Sequence, residues 1–295
     1  MKCERVLKAA VLQMSPVYEN PTASMARADQ LLAQFSADDG LDLLVLPEMA
    51  FVGYTFGDRE HIAPLLENEN GPTCTWCKRN AQNLRCVVAC GFCRVVGEGD
   101  SRECYNSMVV VGPTGDILAI HDKHHLFVTD KTWADEGKSF TAIDLPHLGI
   151  RVGLGICMDI NPYEFEAPFT DFEFANFQKQ EEVDVILFSS AWCNVNPEDS
   201  IVEPPPPDLT STLNYWGTRL SPLIHHPVHF VCADRVGKES MECLGKEGET
   251  TFCGCSCIID LGAARVLGVL DTVVEAVLVQ EIKAGVPQRL PNLHL

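Results

Sequence analysis

Positive charge is scarce in this sequence. Its 295 residues hold 22 lysines and arginines against 41 aspartates and glutamates, a formal charge of −19. Nucleic-acid binders carry basic patches, so the balance argues against a nucleic-acid partner. Long apolar runs are missing too: no segment approaches the roughly 18 uninterrupted apolar residues a membrane span needs. Residues 1–10 lack the apolar core and small-residue cleavage site of a secretion signal. No internal repeat and no linker-like break in composition interrupts the chain. Fourteen cysteines are present, and without a secretion signal they predict reduced thiols in the cytoplasm rather than a disulfide framework. With 46% hydrophobic residues the chain can bury a large core, and the expectation is one α/β domain over residues 1–295.

Strand and helix patterns alternate along it. Residues 6–14 read as a first strand, and Asn20 before Pro21 caps a helix whose apolar face is Ala28, Leu31, Leu32 and Phe35. The apolar run 41–46 is a buried strand with Glu48 at its tip. Helical patterns at 59–67 and 74–84 lead to a strand at 86–96. A hairpin follows, 106–111 and 117–120 around Gly112-Pro113-Thr114-Gly115, and its second arm runs into Lys123. Later come a strand at 183–189, a proline run at 204–207 that reads as loop, a helix at 213–220, and strands at 228–233, 251–259, 264–270 and 275–282. Cys253, Cys255 and Cys257 would share one face of the third of these strands.

The rest is organised around residues 151–177. The glycine-punctuated run 152–156 is a strand buried on both faces, and it ends in Cys157 just before a turn built on Asn161-Pro162. Taken singly, Cys157 reads as core, Glu48 as a loop carboxylate and Lys123 as a surface cation. Together they supply what a thiol needs to cleave an amide. The thiolate attacks, a carboxylate moves the protons, and a cation stabilises the oxyanion.

These residues also resemble a family. Leu46-Pro47-Glu48 with Gly53-Tyr54, Asn106-Ser107, Lys123, Gly155-Ile156-Cys157-Met158-Asp159, Asp234-Arg235-Val236-Gly237 and Gly254-x-Ser256-x-Ile258 match the nitrilase superfamily of carbon–nitrogen hydrolases, in order. Within it, Pro162-Tyr163, Ala167-Pro168-Phe169, Phe172-Glu173-Phe174, Ala191-Trp192 and Asn214-Tyr215-Trp216 look most like the protein N-terminal amidases, which deamidate N-terminal Asn and Gln. The resemblance implies an α-β-β-α sandwich, no cofactor and no metal, substrates that are proteins or peptides with N-terminal Asn or Gln, and a homodimer formed through the sandwich. It makes Cys157 the nucleophile, Glu48 the base, Lys123 and the Met158 N–H the oxyanion donors, and Glu136, with Asp135 as rival, a second glutamate positioning Lys123 or the amide. Two positions depart from the pattern: Asp122 stands where the family has Arg, and Asp234 where Asn is commoner.

An enzyme selecting N-terminal residues needs a partner for the α-ammonium, because burying that charge unpaired is costly. Candidates near the nucleophile are Asp159, Glu164, Glu166, Asp171 and Glu173, with Glu173 preferred and a structural role favoured for Asp159 and Glu164. Trp192 is expected as a pocket wall. Other readings remain open: a small-molecule amidase of the same superfamily acting on ω-amides or carbamoyl compounds, or a silent cysteine-rich binding protein stapled by zinc at Cys74-x-x-Cys77 and Cys90-x-x-Cys93. A Cys–His dyad drawn from His121, His124 or His125 is a further alternative.

Overall fold

The computed structural model describes residues 3–194 and 205–286. Its elements in chain order are β1 (Cys3–Gln13), α1 (Pro21–Leu32), β2 (Leu43–Val45), α2 (Arg59–Ile62), α3 (Pro72–Leu84), β3 (Val87–Val96), β4 (Glu103–Val111), β5 (Ile117–Asp122) and β6 (Thr141–Leu145). There follow β7 (Ile150–Ile156), α4 (Glu173–Gln180), β8 (Val185–Ser190), α5 (Leu209–Arg219), β9 (His229–Asp234), β10 (Lys238–Ser240), β11 (Glu249–Thr251), β12 (Cys257–Asp260), β13 (Arg265–Val269) and β14 (Ala276–Val286). Two six-stranded sheets result, ordered β14-β1-β2-β3-β4-β5 and β13-β12-β9-β8-β7-β6.

Alternation along the strands decides the layering. Leu7, Val11, Val45 and Val110 of the first sheet face Val152, Leu154, Leu187 and Val231 of the second across one apolar core. The opposite face of the first sheet, with Leu44, Val88 and Val109, is covered by Ala28 and Leu32 of α1 and by Trp76, Cys77 and Ala81 of α3. Phe174 of α4 and Trp216 of α5 cover Ile186, Phe188 and Phe230 on the far face of the second sheet. Helix, sheet, sheet, helix is the expected sandwich. Asn20 caps α1 as expected, its side chain accepting from Ala23 N at 3.1 Å.

The departures have local causes. The expected helix at 59–67 is a single α-turn, because Pro64 follows and the chain continues as a 3-10 turn, Ala63–Leu65. The expected strand at 251–259 is broken into β11 and β12. Between them Gly254 (φ 65°) and Cys255 (φ 63°) take left-handed conformations, so Cys253 and Cys255 lie in a loop and share no strand face with Cys257. Pro205 to Pro207 are irregular, as expected, and Pro204 lies outside the described residues. The short strands β6 and β10 were not foreseen.

Within each sheet the central strands run parallel: β1-β2-β3 in one, β7-β8-β9 in the other. Their carboxyl ends therefore meet along one edge of the sandwich. Glu48 lies just past β2, Cys157 just past β7, Trp192 just past β8 and Asp234 at the end of β9. Open α/β sheets place their sites at such ends.

Candidate active site

Glu48 enters this edge on a loop that crosses β3 very closely. A Cβ on Gly91 would come within 2.6 Å of Glu48 Cα, Met49 N and Pro47 O, so only glycine lets the two backbones meet. The Glu48 side chain is fully buried, with every oxygen engaged. Oε1 accepts from Lys123 Nζ at 2.6 Å and Asn106 Nδ2 at 2.7 Å, and Oε2 accepts from Ala191 N at 2.8 Å. Lys123, also fully buried, follows β5 and donates from the same Nζ to Asp130 Oδ2 at 2.5 Å. Asn106 Nδ2 completes the ring by donating to Asp130 Oδ1 at 2.9 Å. Burial pushes the Glu48 carboxyl above its usual range, opposed by the neighbouring Lys123 charge. Burial works against the Lys123 ammonium, but Asp130 and Glu48 outweigh it and keep it charged.

Cys157 sits at the head of this network with a left-handed backbone, φ 39°, an unfavourable conformation for a residue with a side chain. Strand β7 ends there and a 3-10 turn, Cys157–Ile160, begins. Burial and the Glu48 carboxylate raise its thiol well above the usual value, and Lys123 opposes them. The resting group is therefore a thiol, and it ionises only by giving its proton away. Asp159 fixes the elbow. Its Oδ2 accepts from Ile156 N at 2.8 Å and meets His121 Nε2 at 2.9 Å, while Oδ1 accepts from His124 N and His125 N. It thus ties the nucleophile turn to the residues on either side of Lys123, and these bonds hold its carboxyl below the usual range despite burial.

Cys157 opens, 7% exposed, onto a cavity of about 500 Å³. Met158, Trp192 and Tyr215 line it, with Phe127 and Phe165 also in the lining. The Trp192 and Tyr215 rings lie 5.5 Å apart, and Tyr215 Oη donates to Asn161 Oδ1 at 2.6 Å. Pro205 and Asp208 form the rim, and Asp208 is the one carboxylate among the described lining residues. Its oxygens cap α5, accepting from Thr210 N at 3.3 Å and Ser211 N at 3.0 Å. Hydrogen bonds from Ser211, side chain and backbone, hold its pKa below the usual value.

Glu48, Lys123, Cys157, Met158 and Trp192 are thus gathered at one place, and the other expected residues are not. Glu136 is exposed, accepting from Tyr163 Oη at 2.8 Å and lying 3.6 Å from His124 Nδ1. Asp135 pairs with Arg59 and accepts from Cys104 N. The carboxylate on Lys123 is Asp130, only seven residues on, brought back by a tight turn in which its Oδ2 accepts from Phe127 N. Glu136 was expected because the resemblance implies a second glutamate after the lysine; no sequence signal singled out Asp130, whose place depends on that turn. Glu173 is also elsewhere: Oε1 accepts from Tyr163 N at 3.1 Å and Oε2 lies 3.6 Å from buried Arg219, so it holds the 163–173 segment together. Asp159 is consumed by the clamp, and Glu164 pairs with Lys131. The acid at the rim, Asp208, was overlooked because it lies over fifty residues after the nucleophile, beyond the proline run. Asp122, which stands where the family has Arg, is bonded to Arg94 and Ser107. The histidines are committed as well, His121 to Asp159, His124 to Gly137 O and His125 to Asn161 O. Cys74, Cys77, Cys90 and Cys93 are buried free thiols, and among the described residues no three His, Cys, Asp or Glu are grouped to hold a metal ion.

Comparison with known proteins agrees with this fold. Residues 8–165 match the carbon–nitrogen hydrolase family. The protein N-terminal amidase of Schizosaccharomyces pombe is 35% identical over 94% of this chain and 100% of its own length. That of Saccharomyces cerevisiae is 28% identical over 64% of this chain and 45% of its own. Crystal structures of an N-terminal amidase with an Asn-Glu-Ala peptide and with a Gln-Val peptide superpose with TM-scores of 0.82 and 0.81, at 20% identity, over 98% of this chain and 100% of theirs. The fold is therefore shared across the whole sandwich. With a thiol elbow facing a buried glutamate–lysine pair on that fold, the chain belongs to the carbon–nitrogen hydrolase family.

Proposed function

We propose that this protein is a protein N-terminal amidase, hydrolysing the side-chain amide of an N-terminal Asn or Gln to the acid with release of ammonia. One observation carries the reading: Cys157 lies at the inner end of a cavity that is aromatic along its side and carries a single described carboxylate at its rim. Such a cavity accepts a neutral amide at the bottom and a positive charge near the entrance. The full-length likeness to the S. pombe amidase supports it. The shared inter-sheet core supports reading the chain as one domain. Every cysteine whose side chain is described is a free thiol, which supports a reducing, cytoplasmic location, and no described helix is long and apolar enough to cross a membrane.

The chemistry runs on groups already in contact. Glu48 takes the Cys157 proton, and the thiolate attacks the amide carbon. Lys123 Nζ and the Met158 N–H receive the oxyanion; the first N–H groups of a helical turn lack partners within it. Glu48 then passes its proton to the leaving nitrogen, ammonia departs, and a thioester to Cys157 remains. Water enters, gives a proton to Glu48 as it attacks, and the new N-terminal acid is released as the proton returns to sulfur. Asp130 and Asn106 hold Lys123 and Glu48 in register throughout. The raised pKa of Glu48 suits this shuttle, since a carboxyl of ordinary acidity returns a proton poorly.

Asp208 receives the α-ammonium at the rim, and the Trp192 and Tyr215 rings face the same cation. This replaces Glu173, which is occupied by Tyr163 and Arg219. The test is ammonia release from peptides that begin with Asn or Gln, from peptides with the same residue internal, and from free Asn and Gln. The reading expects turnover of the first set alone. Equal turnover of free Asn or Gln would replace it with a small-molecule ω-amidase.

A further inference from the structure

Asp234 is a buried carboxyl that the reaction above leaves unused. It closes β9 with no exposure to solvent. Oδ1 accepts from Trp192 N at 2.8 Å, and Oδ2 has no hydrogen-bond partner. The Ser190 hydroxyl, its register neighbour on β8, is also a buried oxygen without a partner. Among the described residues no cation pairs with Asp234. Arg235, next in the chain, turns instead to Glu239 and lays its guanidinium 3.8 Å from the centre of the Phe252 ring. Acids and thiols are among the groups around Asp234: Glu48 beyond β2, Cys157 beyond β7, Cys193 beyond β8, Cys232 on β9, and Cys253 and Cys255 before β12.

Two carboxyls thus grip consecutive amides of one turn, Glu48 taking Ala191 N–H and Asp234 taking Trp192 N–H, each at 2.8 Å. Their surroundings differ. Glu48 has the Lys123 ammonium; Asp234 has none. Two charges one peptide apart in a dry site repel, and the acid without a cation gives way by keeping its proton.

We propose that Asp234 is the protonated member of a carboxyl pair with Glu48, a positioning residue that holds the Trp192 wall as a neutral acid and leaves the charge at the base position to Glu48. Burial is the main force raising this acid, well above its ordinary value. The functional half of the inference rests on Glu48 being the base; the protonation itself does not.

The experiment compares wild type with Asp234→Asn, an isostere that is neutral at every pH. A folded-state pKa above the unfolded value means the native state binds the extra proton. Wild-type stability then falls as pH rises from about 4, the unfolded value, up to the folded value. The ratio of the variant's folding constant to the wild type's should grow by up to about tenfold per pH unit over that window and flatten below it. A ratio independent of pH above 5 would overturn the proposal. The positioning role is read from alkylation of Cys157 by iodoacetamide, followed by peptide mass. At alkaline pH wild-type Asp234 ionises and restrains the thiolate, so Cys157 of Asp234→Asn should react several-fold faster there and equally at neutral pH. Identical profiles would reduce Asp234 to a packing residue. Should Asp234→Asn fail to fold, carboxyl carbon NMR of the wild type decides: one aspartate must stay protonated at pH 7, and titration of every aspartate below pH 5 refutes the proposal. Glu48→Gln retaining activity would remove the base assignment while leaving the stability result standing.

Discussion

At the floor of the cavity Glu48, Lys123, Asn106 and Asp130 are buried and bonded to one another. Along its side Trp192, Tyr215 and Asp208 are half-buried or exposed, on a loop, a helix face and a helix cap. Glu48 and Lys123 stand just past β2 and β5 and Asn106 lies within β4, so their geometry is inherited from one sheet, and Asp130 joins them through a turn. Rim residues take their places from local turns. The division separates chemistry from selection: charges that must act on a reacting atom are kept dry and preorganised, while the group that reads a substrate charge stays open to solvent.

Changes at the floor should be the most damaging. Cys157→Ser should fold normally and lose several orders of magnitude in kcat, because a hydroxyl is not ionised by a carboxylate as a thiol is. Near-normal turnover would return Cys157 to the core. Glu48→Gln should lose at least about a thousandfold in kcat while still binding substrate. The wild-type acid limb should lie above the ordinary carboxylate range, since burial raises Glu48 and activity is lost as it is protonated at rest. A limb at ordinary carboxylate acidity would contradict that. Lys123→Ala removes the shared cation and leaves Glu48 and Asp130 facing each other. It should be inactive and also less stable by roughly 3–5 kcal/mol, measured by denaturant unfolding.

Rim changes should be milder and fall on KM. Asp208→Asn should raise KM for peptides with a free N-terminus by about tenfold, the scale of an exposed ion pair that becomes covered on binding, with kcat nearly unchanged. A kcat effect of equal size would place Asp208 with the chemistry. The smallest effect belongs to Glu173→Gln. Its carboxylate serves Tyr163 N and Arg219, so discrimination for the free amine should change less than about threefold while the melting temperature falls.

The floor was legible in the sequence because its residues sit where apolar runs stop, and a carboxylate, an ammonium and a thiol at three strand ends are rare enough together to mean something. Strand patterning predicted one α/β domain, and the sandwich was implied by the family resemblance. Asp130 escaped notice because its partnership with Lys123 depends on a turn, and the family resemblance pointed to Glu136 instead. Glu173 misled in another way: a carboxylate near the nucleophile in sequence was engaged by Arg219, a helix residue 46 positions later and invisible to local reading. Asp208 was hidden by the fold, since α5 returns to the cavity only after the proline run. The broken strand between Thr251 and Cys257 shows the same limit, because nothing in an apolar, cysteine-rich run announced that Cys255 would turn left-handed.

The most direct measurement of the division between floor and rim is the ratio of kcat/KM for an Asn-initiated peptide to that of its N-acetylated form, in wild type and in Asp208→Asn. Acetylation removes the charge and leaves the amide untouched. Wild type should favour the free amine by about ten- to a hundredfold, the combined scale of the ion pair and the two rings, and Asp208→Asn should lose most of that preference while turning over acetylated peptide as wild type does. Equal rates on the two peptides in wild type would contradict the account, because the cavity would then read the amide alone.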